Sequence, residues 1–250
     1  MARSACATTG VVDKSMIGDR KLRLLALHGF SQDAQVFRNR LGSMRKALKS
    51  RAEIIFLDAP WVIGDVSNEV VASAGGRADG RTWWTWQDAD RPSKSNTYTG
   101  WEASNEAILT ALHEHHPIDG LLGFSQGATA AALHLATRQL SPSTGEEGIP
   151  QDTPQPWFAV LIGGFLPRDV KYSEQLKRAP ISVPTLHIYG LQDAMVTMDR
   201  SIDLMSTFDE DLCESFEHPG GHMVPTCTGD FKSHMIAFID RMKLQLQAAP

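Results

Sequence analysis

Five residues, Gly123-Phe124-Ser125-Gln126-Gly127, constrain the fold of this chain more than any other stretch. An apolar run, Asp119-Gly120-Leu121-Leu122, precedes them and reads as a short buried strand. Ala128-Thr129-Ala130-Ala131-Ala132-Leu133-His134-Leu135-Ala136 follows and is a strong helix former. A G-x-S-x-G segment between a strand and a helix demands a turn so sharp that the serine backbone is strained. The flanking glycines let neighbouring backbone approach without a Cβ clash. Such a turn holds the hydroxyl out at the C-terminal edge of a sheet, where another molecule can reach it.

The rest of the chain supplies a sheet for that turn. Runs at Leu22–Leu27, Ile54–Leu57, Gly120–Gly123, Phe158–Ile162, Thr185–Tyr189 and Glu214–Glu217 read as strands. All but the last are apolar at consecutive positions, as strands covered on both faces are. Helical patterns at Asp33–Lys49, Trp101–His115, Gln126–Gln139, Asp199–Phe208 and Asp230–Gln245 alternate with them. In the second helix Ala103, Ala107, Ile108, Ala111 and Leu112 recur near the helical period and are expected to face the sheet. The pattern predicts an α/β-hydrolase fold, a mostly parallel central sheet flanked by helices on both faces. Residues 1–20 are small and polar without periodicity and read as a flexible tail; residues 21–247 read as one domain. Two insertions interrupt it, at 59–100 and at 141–156, the second with four prolines.

Composition narrows the function classes. A chain of 250 residues with 42% hydrophobic and 21% charged residues builds its core without staples. A net charge of -5 gives no electrostatic case for nucleic acid or for an anionic membrane surface. Three cysteines, Cys6, Cys213 and Cys227, make no CxxC pair and an odd count, which points to a reducing compartment. No apolar leader core or membrane-span length is found, so the simplest address is the cytosol, with the nucleus left open.

A serine hydroxyl needs a base to take its proton, and that base needs an orienting acid. In this fold the partners follow in the order Ser, Asp/Glu, His. Asp193 lies just past Thr185–Tyr189, on the edge that carries Ser125, with Asp169 as its rival. His222 sits in the glycine-softened loop His218-Pro219-Gly220-Gly221-His222, and is preferred to His218 and His234 as the base. An oxyanion formed at Ser125 needs two donors. The expected pair is the backbone N–H of Gln126 and that of Phe30, where Gly29 lets the chain bend after the first strand. His28 reads as a brace of that bend.

Three other features were weighed against this chemistry. Gly75-Gly76-Arg77-Ala78-Asp79-Gly80-Arg81-Thr82 approaches a phosphate-binding loop, but Arg stands where Lys belongs and tryptophans follow instead of a helix. His113, His115 and His116 lack metal-ligand spacing, and no metal is expected. Trp83, Trp84 and Trp86 either wall an acyl or alkyl pocket or form the insertion's own small core; both readings stand at this point.

Taken together, these blocks resemble the FSH family of small eukaryotic serine hydrolases, related to the ovarian-tumour-suppressor-candidate hydrolase. The resemblance runs from about Leu22 to Phe238. It rests on Leu25-Ala26-Leu27-His28-Gly29-Phe30, Phe56-Leu57-Asp58-Ala59-Pro60, Trp83-Trp84, Gly100-Trp101-Glu102-Ala103-Ser104 and Gly123-Phe124-Ser125-Gln126-Gly127. Gly163-Gly164-Phe165, Gly190-Leu191-Gln192-Asp193 and Gly221-His222-Met223-Val224-Pro225 complete it. It implies Ser125, Asp193 and His222 as the catalytic residues, hydrolysis of small-molecule acyl or alkyl esters through an acyl-enzyme, and no cofactor. Two alternatives use the same residues: an acyl thioesterase, and a hydrolase fold retained for ligand binding.

Overall fold

The computed structural model describes residues 20–63, 79–86, 88, 94–140 and 155–248. The flexible tail expected before Lys21 lies, but for Arg20, outside these residues. So do most of the insertion expected at 141–156 and the first part of the near-phosphate-loop segment.

Six strands make one parallel sheet: β1 (Leu22–Leu27), β2 (Ala52–Leu57), β7 (Gly120–Phe124), β8 (Phe158–Ile162), β9 (Thr185–Gly190) and β10 (Cys213–His218). Their order is β2-β1-β7-β8-β9-β10, so β7 and its elbow lie in the middle. Every pairing in this sheet is parallel, with Leu27 opposite Gly123 and Phe124 opposite Ile162. All C-termini therefore open on one edge. The insertion adds two small antiparallel pairs, β3 (Trp61–Val62) with β4 (Arg81–Thr82) and β5 (Thr85–Trp86) with β6 (Tyr98–Thr99).

Strand alternation builds a core on each face. Leu25, Leu27, Leu121, Ala159 and Leu161 point to the face covered by α3 (Trp101–Glu114), α4 (Gln126–Leu140) and α5 (Val170–Lys177). Leu22, Leu24, Leu122, Val160 and Ile162 point to the face covered by α1 (Ala34–Arg40), α2 (Gly42–Ala47) and α7 (Gly229–Ala248). An α6 (Met198–Met205) follows β9, and its Leu204 joins the first core. The buried stripe of α3 is Trp101, Ser104, Ile108, Leu109, Ala111 and Leu112. Ala103, expected to face the sheet, is exposed instead. The stripe is rotated because Trp101, the largest side chain of the first turn, takes the core.

Three boundaries depart from expectation. The helix predicted over Asp33–Lys49 breaks at Leu41, whose ψ of 10° leaves the helical range just before Gly42. Gly is the poorest helix former after Pro, and the break lets both Phe37 and Met44 reach the core. The short α5 was not anticipated; Asp169 opens it by accepting the N–H of Lys171. The helix after β9 ends at Met205, three residues before the predicted end.

Two histidines are sealed into this fold. His134 on α4 donates from Nδ1 to Asn105 Oδ1 at 2.8 Å, while its Nε2 and that of His187 on β9 meet no partner among the described residues. Burial pushes each down from the ordinary imidazole range to about 3. Below about pH 6.5 the unfolded chain takes up protons that the folded state refuses, so their contribution to stability is complete above that pH and lost as pH falls. Denaturant unfolding is expected to show wild type losing about 2 kcal/mol more than His187→Leu between pH 7.5 and 5. Equal losses would show that this imidazole is not excluded from titration.

Candidate active site

Ser125 stands in the left-handed region at φ 54°, with its N–H donated to Ile162 O at 2.8 Å on the neighbouring strand. For a non-glycine residue this conformation costs roughly 1–3 kcal/mol and persists only where the surroundings impose it. They do so by close approach. A Cβ on Gly127 would lie 2.1 Å from Leu27 O and 2.4 Å from His28 O. One on Gly123 would lie 2.4 Å from the Cα of Ala128. Both glycines are thus needed for α4 to start against the ends of β1 and β7.

Asp193 and His222 arrive on two loops that cross. Leu191 N–H donates to His218 O at 2.8 Å and Gln192 N–H to Gly220 O at 3.1 Å, extending the β9–β10 pairing beyond the sheet. His222 then lies with Nε2 2.8 Å from Ser125 Oγ and Nδ1 2.6 Å from Asp193 Oδ2. Its ring packs on Phe124, with centroids 5.0 Å apart. The Asp193 side chain is only 2% exposed and that of His222 12%. Burial alone would push the Asp193 carboxyl up. The bonds from His222 and from the N–H groups of Val196 and Met195 outweigh it and hold the carboxyl below its usual range. An ionised Asp193 fixes the proton of His222 on Nδ1 and leaves Nε2 to accept from the serine.

The rival residues are committed elsewhere. Asp169 accepts Tyr98 N–H at 2.6 Å and Lys171 N–H at 2.9 Å. His218 Nδ1 accepts Gly220 N–H at 3.2 Å, and burial holds this ring below the ordinary imidazole range. His234 lies on α7, 3.6 Å from Glu214.

The Phe30 turn is braced from several sides. His28 Nε2 accepts the N–H of Ala59 at 3.0 Å, so its proton sits on Nδ1 and donates to Gly29 O at 2.8 Å. Both ring nitrogens are used, and burial holds this imidazole below its ordinary range although the Gly29 carbonyl favours the charged form. Ser31, also left-handed at φ 59°, donates its N–H to Arg81 O, and Arg81 N–H returns to Gln32 O at 2.8 Å. Among the described residues no acceptor takes the N–H of Phe30 or of Gln126. The Gln126 side chain works separately from its backbone: Oε1 accepts Trp83 N–H at 3.1 Å, and Nε2 donates to Thr82 Oγ1 at 2.9 Å. Sequence reasoning missed this clamp, whose partners are 44 residues apart with no motif joining them.

The three tryptophans, for which a pocket wall and a small core both stood open, are buried. Trp83 is 0% exposed and donates Nε1 to His28 O at 2.8 Å; Trp84 is 2% exposed and stacks on Tyr98 at 5.1 Å. Neither offers surface to a ligand, because their large apolar area is consumed in joining the insertion to the main core. Trp86, at 6%, packs edge-on against Phe30 at 5.5 Å.

A family model described as serine hydrolase (FSH1) matches residues 16–233. The chain belongs to this serine hydrolase family. A relative named Esterase OVCA2 from Bos taurus is 34% identical over 233 residues, covering 88% of this chain and 96% of the relative. The Homo sapiens protein of that name is 34% identical over 239 residues, covering 90% and 99%. Among solved structures, esterase PE8 superposes with a TM-score of 0.60 at 19% identity, covering 89% of this chain and 93% of its own. Zea mays acyl-protein thioesterase 2 gives 0.60 at 18%, covering 90% and 95%. These last two likenesses establish the α/β-hydrolase fold. Among the described residues no helix is long and apolar enough to cross a membrane.

Gly127→Ala is expected to destabilise the protein by at least the roughly 3 kcal/mol at the upper end of over-packing, because the obstructing atoms are backbone carbonyls. Thermal or denaturant unfolding checks this; a loss below about 1 kcal/mol would mean that the helix start can shift.

Proposed function

We propose that the protein is a carboxylesterase that cleaves acyl or alkyl esters through an acyl-enzyme formed on Ser125. The single observation that carries this reading is the unbroken hydrogen-bonded chain Ser125–His222–Asp193, with spacings of 2.8 and 2.6 Å. His222 Nε2 takes the proton of Ser125 as Oγ attacks the ester carbonyl. We assign the resulting oxyanion to the N–H groups of Phe30 and Gln126, neither of which has an acceptor among the described residues. His222 returns the proton to the leaving alcohol. Water, deprotonated by the same nitrogen, releases the acid and restores Ser125.

Asp193 stays ionised throughout and stabilises the imidazolium, a role consistent with its lowered carboxyl. Donors that are held in place before the substrate arrives lower the barrier more than donors that must reorganise. The Phe30 turn meets that requirement through His28, Ala59 and Arg81. The protein is expected to act as one domain over 21–247, in the reducing compartment that its cysteine pattern indicates, without cofactor or metal.

A fluorophosphonate probe is expected to label wild type and not Ser125→Ala. In p-nitrophenyl ester assays, His222→Gln and Asp193→Asn should each lower kcat by about 10³-fold or more with little change in folding. Labelling that survives Ser125→Ala would move the nucleophile elsewhere. Matched oxygen esters and thioesters compared by kcat/KM test the substrate class; a clear thioester preference would replace the ester reading.

A further inference from the structure

Next to the loop that carries Asp193 lies a pair of arginines that makes no ion pair among the described residues. Arg200, in the first turn of α6, is half-buried with its guanidinium 4.6 Å above the Phe165 ring. Its one side-chain hydrogen bond goes to Met195 O at 3.2 Å. A guanidinium carries five N–H donors, so four remain unengaged, and among the described residues no carboxylate comes within 4.0 Å. Arg168, exposed at the turn after β8, likewise has no acidic partner among the described residues. Burial pushes the Arg200 guanidinium down and the like charge of Arg168 adds to it, against weaker pulls from Tyr98, Asp193 and Asp203.

The third member is Tyr98, buried and stacked on Trp84. Its hydroxyl accepts the N–H of Arg168 at 3.2 Å, and its own proton meets no described acceptor. One carboxylate does lie in this cluster, that of Asp169, and backbone N–H groups of Tyr98 and Lys171 occupy one oxygen each. The cluster adjoins the reaction centre. Met195, which holds Arg200, donates its own N–H to Asp193 Oδ1 at 2.9 Å. Gly163, two residues before Phe165, has its Cβ direction 3.2 Å from His222 Cε1.

We infer that Arg200, Arg168 and the Tyr98 hydroxyl form an anion subsite beside Ser125, so that the preferred esters carry a carboxylate in their acyl or alcohol part. This rests on the hydrolytic reading above. A half-desolvated cation without a partner is unfavourable until something supplies the missing charge. A carboxylate engages the free edge of a guanidinium with two parallel bonds and brings one negative charge, the match that four idle donors invite. Exposed Leu191, Met195 and Met223 stand on the β9 and β10 loops, and exposed Met198 opens α6. A substrate lying across them excludes water and strengthens that pairing.

The test compares charged and neutral esters in two pairs. p-Nitrophenyl hemiglutarate against p-nitrophenyl butyrate places the carboxylate on the acyl side; 4-carboxyphenyl butyrate against phenyl butyrate places it on the alcohol side. Arg200→Met keeps an apolar stem over Phe165 and removes the charge. In at least one pair the charged-to-neutral ratio of kcat/KM should fall about tenfold or more in Arg200→Met, be largely kept in Arg200→Lys, and shrink for wild type in 0.5 M NaCl. Using the ratio cancels the intrinsic reactivity of each ester and any general loss of active protein. Ratios unchanged by Arg200→Met in both pairs would overturn the subsite while leaving the esterase reading intact. Failure of wild type to hydrolyse any of the four, with no fluorophosphonate labelling of Ser125, would overturn both.

Discussion

The close approach of α4 to the ends of β1 and β7 is the constraint on which the rest of this structure depends. Two glycines without Cβ atoms let a helix begin where carbonyl groups of the neighbouring strand already stand. That contact forces Ser125 into the left-handed region, and the bond from its N–H to Ile162 O holds it there. The strain is supported by the sheet around it: β7 lies between β1 and β8 with its register fixed on both sides. Moving the elbow would therefore require slipping a central strand, which would turn every side chain on it to the wrong face.

From that point the site is assembled by edges. A parallel sheet collects the C-termini of its strands on one side, so loops from β1, β7, β8, β9 and β10 meet there without further design. What remains is fine placement. The β9 and β10 loops lock to each other through backbone bonds, which sets Asp193 and His222 as a unit rather than as two independent side chains. The Phe30 turn is set by a histidine that spends both ring nitrogens on backbone groups. Rigid backbone, more than side-chain packing, defines the geometry around the serine.

Much of this was readable before any coordinates. Strands buried on both faces announce themselves as consecutive apolar residues, and β1, β8 and β9 fall where those runs do. His222 could be told from His218 because glycines next to a strand end permit a loop to turn back. Other features were invisible for physical reasons. The break at Leu41 and the eight-residue α5 depend on what the core will accept, not on local propensity. Asp169 looked like a rival acid because an N-cap aspartate and a catalytic aspartate both follow strands; only its occupied oxygens separate them. The tryptophans left two readings open for a similar reason. Aromatic residues near a reactive serine suit a pocket wall or a brace equally well, and contacts between residues dozens of positions apart decide which they are.

The insertion from Arg81 to Trp86 has a consequence for how the enzyme meets its substrate. It is laced to the Phe30 turn, to the elbow helix through Gln126, and to α3 through the Ser104 hydroxyl on Trp83 O. Swinging this segment aside would break the bonds that hold the Gln126 side chain and the Phe30 turn. The described stretch is thus a fixed parapet at the elbow helix rather than a hinged cover.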